Sequence, residues 1–166
     1  MYSESTQASL TYTLYELLRH PKEISRLRQE IAPHVSDEGD ISYQDIRQLK
    51  HLNGVISETM RLHPPIGTGL QRVTPNEGTI IGDMYIHGNT TVSSPQYVIG
   101  RSESPCRVFT LSIGLSNLSL CQPDSLFLGE KIYANPTTFY PERWYAQPEM
   151  VKDRTAFAPF SAGELL

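Results

Sequence analysis

The sequence lacks several features that would assign a function quickly. Its two cysteines, Cys106 and Cys121, are too few for a disulfide framework and lack the paired spacing of a zinc site. Its five histidines form neither an H-x-x-x-H nor an H-E-x-x-H pattern, so nothing supports metal ligation by histidine. The net charge is -4, with Lys and Arg scattered along the chain, and this pattern indicates no nucleic-acid partner.

Long apolar runs are missing as well. Polar residues interrupt each apolar stretch well before membrane-spanning length, and residues 1–7 are polar rather than a charged and then apolar leader. We therefore expect no membrane segment in this chain and, for the chain as written, a cytoplasmic location. The composition, 39% hydrophobic and 19% charged, is typical of one globular domain.

The front of the chain has the periodicity of helices. Apolar residues at helical spacing predict a first helix that ends just before Pro21 and a second that begins there and ends at Pro33. A third helical region opens at Ser42, with Asp45 as its capping partner, and is stopped by Pro64.

Beyond the third helical region the period changes. Short runs of strand-forming residues lie between Gly, Pro, Asn and Asp, at residues 69–73, 79–81, 84–86 and 90–93. Gly82 and Asp83 suit a tight hairpin turn, which predicts a small antiparallel sheet. The expected fold class is mixed α+β, mainly helical.

Three short motifs carry the chemical argument, although each has an ordinary structural explanation. Glu58 and Arg61 share a helix face, and such a pair is usually exposed and worth about 0.2–0.5 kcal/mol. Residues 141–144, Pro-Glu-Arg-Trp, read alone as a surface turn with an anchoring tryptophan. Residues 157–163 read alone as an apolar loop with a flexible glycine.

Taken in order, the three motifs resemble the signature set of the cytochrome P450 (P-450) family of haem-thiolate monooxygenases. The family's E-x-x-R is met by residues 58–61, its P-E-R-[FW] by residues 141–144, and the start of its haem loop, F-x-x-G-x-R-x-C, by Phe160 and Gly163. The resemblance implies a partial cytochrome P450 fold over residues 1–166. It would contain the end of the central helix, the following helices with E-x-x-R, the small β-sheet and the start of the haem loop.

The resemblance also implies a structural network, which we call the Glu58 network and which consists of Glu58, Arg61 and Arg143. A carboxylate that accepts from two guanidinium groups fixes three segments in one geometry, because bidentate pairing is strong and directional. The network would support the haem-side loop and would not act as a catalyst.

Further site residues are implied by the resemblance alone. Arg72 would bind a propionate of the haem (heme) cofactor, and Phe160 and Gly163 would belong to the haem loop that binds the same cofactor. Glu4 and Ser5 would belong to a proton relay on the central helix, although simple helix N-capping explains them equally well. The substrate pocket of the intact family member would be lined by Pro65, Ile66, Gly67, Thr68, Gly69 and Leu70.

Two departures from the family pattern bear on this chain. Position 165 is Leu where the haem motif has Arg, and the sequence reaches Leu166 before the axial cysteine. We therefore expect no metal ligand and no haem binding by this chain, although haem belongs to the intact family member. Neither Cys106 nor Cys121 lies in the glycine-flanked loop that such a ligand requires.

The second departure is the stretch 102–129, which does not resemble the family although both flanks do. It shows no clear helical or strand period. Our hypothesis is a non-family insert of translated intron, and a genuine surface insertion is the alternative. Sequencing the mature transcript tests it, since a message that still encodes these residues would refute the hypothesis.

The parent reaction implied by the resemblance is hydroxylation of a small organic substrate. One oxygen atom of O2 is inserted into it, with electrons from NADPH through a cytochrome reductase. Details of the sequence resemble fungal members that act in secondary metabolism and are anchored to the endoplasmic reticulum membrane. The alternatives are a non-catalytic remnant or wrongly annotated gene product without haem binding, and a helical interaction module.

Overall fold

The computed structural model describes residues 3–36, 39–81, 84–102, 109–113, 116–120 and 132–160. The α-helices are α1 (Ser3–Arg19), α2 (Pro21–Ile31), α3 (Tyr43–Ile46), α4 (Lys50–Leu62) and α5 (Gln96–Arg101). The strands are β1 (Gln71–Val73), β2 (Thr79–Ile81), β3 (Met84–Ile86), β4 (Thr91–Ser93), β5 (Phe109–Ile113) and β6 (Ser116–Leu120). Short 3₁₀ helices lie at Ala32–His34, Pro141–Trp144, Pro148–Met150 and Arg154–Ala156. The mixed α+β class, mainly helical, is confirmed.

Prolines set the boundary between the first two helices. His20, directly before Pro21, has φ -125° and ψ 71°, because a proline disfavours helical backbone in the residue that precedes it. Pro21 then occupies the first turn of α2, where an N–H group would have no partner within the helix. Within the described part of the chain, no helix is both long enough and apolar enough to cross a membrane.

The predicted third helical region is two helices. Ser42 caps the short α3 as expected, but its hydroxyl accepts from the N–H of Gln44 at 3.2 Å. The chain then turns, and Leu49 is extended with φ -66° and ψ 118° before α4 begins at Lys50. The side-chain amide of Asn53 donates to the carbonyl of Leu49 at 2.7 Å and so holds this break.

The chain divides into two compact units. The first consists of Met1–Pro65 and Thr138–Val151, and the second of Ile66–Thr137 and Lys152–Leu166. The core of the first unit is formed by buried Leu27, Val55, Leu62 and Phe139, against which Leu17, Ile31 and Leu52 pack. This core places one face of α4 against α1, α2 and the segment that begins at Thr138.

The second unit contains the predicted strands, but they belong to two sheets rather than to the one expected, with β1 paired to β4 and β2 paired to β3. All four predicted strands form, as β1 to β4, and their pairing is antiparallel. Arg72 of β1 pairs with Val92 of β4, and Ile80 of β2 pairs with Tyr85 of β3. The turn predicted at Gly82 and Asp83 lies outside the described residues.

Two further strands, β5 and β6, lie in the stretch 102–129 and extend the sheet in the order β1-β4-β5-β6. No strand is expected there from the sequence, where no clear strand period was recognised. The signal was present, because apolar and polar residues alternate strictly along β5, Phe-Thr-Leu-Ser-Ile. That this stretch is foreign to the family stays a prediction.

The close approach of Gly54 to the Pro141–Trp144 segment generates a prediction. A Cβ at Gly54 would lie 2.8 Å from the carbonyl oxygen of Pro141 and 3.1 Å from Cδ1 of Tyr145. Replacing a helical glycine by alanine normally stabilises by about 0.5–1 kcal/mol. We expect Gly54→Ala to lower the free energy of unfolding by about 1–3 kcal/mol, because the backbone must move.

Urea denaturation checks this expectation. Ser57→Ala on the same helix is the control and should be neutral or stabilising, since it gains helix propensity without a backbone clash. A Gly54→Ala variant as stable as the parent would mean that α4 does not approach the Pro141–Trp144 segment so closely.

Candidate functional site

The carboxylate of Glu58 is the centre of a buried polar cluster in the first unit. Its Oε1 accepts from Nη2 of Arg61 at 2.8 Å, Nε of Arg143 at 3.0 Å and the backbone N–H of Tyr140 at 2.9 Å. Its Oε2 accepts from Nε of Arg61 at 2.9 Å and Nε1 of Trp144 at 3.0 Å. One side chain thus ties α4 to the segment 140–144.

Local structure explains why these side chains meet. Glu58 and Arg61 lie one helical turn apart on α4, so the guanidinium group reaches the carboxylate in a bidentate pair. Arg143 comes from the Pro141–Trp144 3₁₀ helix, which begins with the fixed φ of a proline. Both arginines also donate to the carbonyl of Thr138, at 3.2 and 3.3 Å.

Burial makes these contacts obligatory. Glu58 and Arg143 are 0% exposed and Arg61 is 2% exposed. Charges without water must be paired and hydrogen-bonded, because an isolated buried charge is very costly. The geometry is therefore that of a buried structural network, and an exposed helix pair does not describe it. Its role toward a haem-side loop stays a prediction.

Two of the groups that bind Glu58 were not predicted from the sequence, the backbone N–H of Tyr140 and the indole N–H of Trp144. The backbone N–H of Tyr140 carries no side-chain signal, so no motif could reveal it. The sequence predicts an anchoring tryptophan at Trp144 but does not indicate that its indole N–H donates to the carboxylate. The available signal was its position directly after Arg143, together with the need of a half-buried indole for an acceptor.

A second polar cluster lies beside the first and joins α2 to the same segment. Glu142 forms an ion pair with Arg26, which also lies 3.4 Å from Glu23. Nδ1 of His51 is 3.0 Å from the hydroxyl of Tyr145. Nε2 of His51 is 3.2 Å from Glu23 Oε2, without the alignment of a hydrogen bond.

The pKa of Tyr145 is raised by the surroundings of its phenol. Burial raises the pKa of the phenol above its usual value, Arg26 opposes that shift, and Glu23 adds to it. The phenol therefore stays protonated at neutral pH and can serve as a hydrogen-bond donor to His51.

The second unit contains a cavity of about 340 Å³. It is lined by three of the six residues predicted for the substrate pocket, Ile66, Gly69 and Leu70, and by Arg72. Pro65, Gly67 and Thr68 are not among its lining residues. The remaining wall has apolar members that include Ile81, Val92, Ile99 and Ile132. Its polar members are Ser93, Ser94, Gln96, Asp153 and Thr155.

Of the remaining predicted site residues, the structure describes Phe160, Glu4 and Ser5. Phe160 is 68% exposed in a turn, and Gly163 lies outside the described residues. Glu4 is exposed in the first turn of α1, where a carboxylate is favoured by the helix dipole. The carbonyl of Ser5 accepts from the hydroxyl of Ser9 at 3.0 Å, and this bond is internal to α1.

The lining of the cavity fits part of a haem. Its apolar wall suits the ring, and the guanidinium group of Arg72 suits a propionate, although Arg72 is exposed and Nη1 also donates to the carbonyl of Gln71 at 3.2 Å. Among the described residues, the lining contains no cysteine or histidine that could ligate the iron. Cys106 and Cys121 lie outside the described residues.

The burial of Glu58 yields a prediction about stability. We expect Glu58→Gln to lower the free energy of unfolding by about 3–5 kcal/mol, because it leaves two buried guanidinium groups without their carboxylate. Urea denaturation followed by the fluorescence of Trp144, the only tryptophan of the chain, measures it.

Glu149→Gln is the matched control, since Glu149 is an exposed glutamate of the nearby Pro148–Met150 3₁₀ helix. It should change the stability by less than about 0.5 kcal/mol. Equal effects of the two substitutions would contradict a buried network at Glu58.

The chain is similar to a protein family and to several known proteins. A family model described as Cytochrome P450 matches residues 3–104. Cytochrome P450 monooxygenase sthD of Phaeosphaeria nodorum is 38% identical over 161 residues, which cover 97% of this chain and 28% of that protein. Tryprostatin B 6-hydroxylase of Aspergillus fumigatus is 41% identical over 162 residues, 97% of this chain and 24% of that protein. Cytochrome P450 monooxygenase notG' of Aspergillus versicolor is 39% identical, with 97% and 25% covered.

These relatives are fungal proteins, and the chain spans about a quarter of their length. The family model covers more than half of the 166 residues and includes the whole E-x-x-R helix, α4. The buried network at Glu58 has the residues and the order that the family's motifs require. This chain belongs to the cytochrome P450 family.

Proposed function

We propose that this chain is a segment of a haem-dependent monooxygenase of fungal secondary metabolism. The enzyme hydroxylates a small organic molecule with one oxygen atom of O2, and its electrons come from NADPH through a flavoprotein reductase. The observation that carries the proposal is the fully buried Glu58 carboxylate between two guanidinium groups. The intact enzyme is anchored to the endoplasmic reticulum membrane.

The Glu58 network contributes rigidity to this function. Arg61 and Arg143 hold α4 and the segment 140–144 in one geometry. The residues that follow position 144 therefore start from a fixed position. A site that must hold a cofactor precisely needs such supporting contacts around it. Haem, when bound, supplies the activation of O2.

The cavity of the second unit contributes binding. Ile66 and Leu70 offer apolar surface to an organic substrate, and Arg72 offers a cation to a haem propionate. A mostly apolar cavity with a few polar groups is typical of small-molecule sites. Glu4 and Ser5 are the candidates for moving protons, and their position in the first turn of α1 equally fits helix capping.

The alternative is a non-catalytic remnant without haem binding. Two observations favour it: the described lining of the cavity supplies no ligand for iron, and Leu165 stands where the family's haem motif has Arg. A remnant would not need a working Glu58 network. The two proposals therefore differ in whether residues 3–101 can support haem binding when they are placed in an intact enzyme.

A transplant separates the two. We expect a full-length Cytochrome P450 monooxygenase sthD, with its matching segment replaced by residues 3–101 of this chain, to bind haem. Its reduced carbon monoxide complex should show the red-shifted absorbance of a thiolate ligand, because the transplanted residues supply Glu58 and Arg61. The 166-residue chain alone, mixed with haem, should not show this band.

Two control transplants sharpen the result. Glu58→Gln should abolish the band, whereas Gln29→Ala, at an exposed position of α2, should keep it. A transplant that unfolds cooperatively but gives no thiolate band would favour the remnant. A band from the chain alone would refute the expectation that it does not hold haem.

A further inference from the structure

Helix α4, which carries Glu58 and Arg61, does not cap its own N-terminus. The residue before its first turn is Leu49, whose side chain makes no capping hydrogen bond, and the first turn contains no acidic residue. The first N–H groups of a helix have no partner within the helix and need an outside acceptor. The position of that acceptor also fixes the position of the start of α4, and α4 carries the buried carboxylate of Glu58.

Glu30 of α2 supplies that acceptor. Its Oε1 accepts from the N–H of His51 at 2.9 Å, and its Oε2 accepts from the N–H of Leu52 at 2.9 Å. Both oxygens of one carboxylate thus bind successive amides at the positive end of the helix dipole. Charge-assisted bonds of this kind are about twice as strong as neutral ones.

The capped residue also contacts the segment that carries Arg143 and Trp144. His51 is buried, and its Nδ1 lies 3.0 Å from the hydroxyl of Tyr145, which directly follows Trp144. Holding the backbone of His51 therefore fixes the start of α4 together with the residue that follows Trp144 in the chain. Glu58 lies seven residues further along the same rigid helix, about 10 Å away.

We propose that Glu30 is a positioning residue for the Glu58 network. It caps α4 across the gap between two helices and so sets the distance from Glu58 to Arg143 and Trp144. The inference rests on the proposed role of the network, but its test reads the network's geometry directly. Failure of the chain to bind haem would therefore leave it standing.

The test compares Glu30→Ala and Glu30→Gln in the full chain with Gln29→Ala, a neighbouring exposed control on α2. Amide hydrogen exchange by NMR reports the cap, and the emission of Trp144 under native conditions reports the network. We expect exchange at His51 and Leu52 to be roughly fivefold faster in Glu30→Ala, as for the loss of a helix cap.

Trp144 emission should also shift to longer wavelength in Glu30→Ala, because its indole loses alignment with Glu58. Glu30→Gln should lie between the parent and Glu30→Ala, since its amide oxygen still accepts from one N–H group. Gln29→Ala should match the parent in both measurements.

A structural role alone would lower the unfolding midpoint and leave the emission of the folded state unchanged. Parent-like Trp144 emission in either folded variant therefore overturns the proposal. If Glu30→Ala does not fold, Glu30→Gln decides. Loss of folding in both variants would assign Glu30 to overall stability and would also overturn it.

Discussion

The structure depends on one buried negative charge. Glu58 is fully buried on α4, and a carboxylate without water must find hydrogen-bond donors nearby. Its donors come from its own helix turn and from residues more than eighty positions later. Residues 1–65 and residues 138–151 of the first unit are therefore joined by the hydrogen bonds of this one buried carboxylate.

The neighbouring packing is arranged around that contact. Gly54 leaves room for the carbonyl of Pro141, so the 3₁₀ helix can lie directly on α4. On the side facing α2, Glu142 pairs with Arg26. Consecutive residues of one short segment, Glu142 and Arg143, thus bind different helices, and the segment is fixed from both directions.

The sequence predicted the parts that depend on local chemistry. Prolines set the end of α1 and the start of α2, and short strand-forming runs gave β1 to β4. The resemblance to the cytochrome P450 motifs implied which charged residues meet, namely Glu58, Arg61 and Arg143. The sequence could not predict contacts that depend on three-dimensional proximity. These are the hydrogen bond from the backbone N–H of Tyr140 to Glu58 and the capping of α4 by Glu30 of α2. The break before α4 and the alternation in β5 were readable but were missed.

The central claim is that Glu58 and Arg143 stabilise the fold through each other. A double-mutant cycle with Glu58→Gln, Arg143→Met and the double variant measures that coupling by urea denaturation. Close partners in one buried network should give an interaction energy of about 2–3 kcal/mol. Additivity within about 0.5 kcal/mol would contradict the account, because independent residues behave in that way.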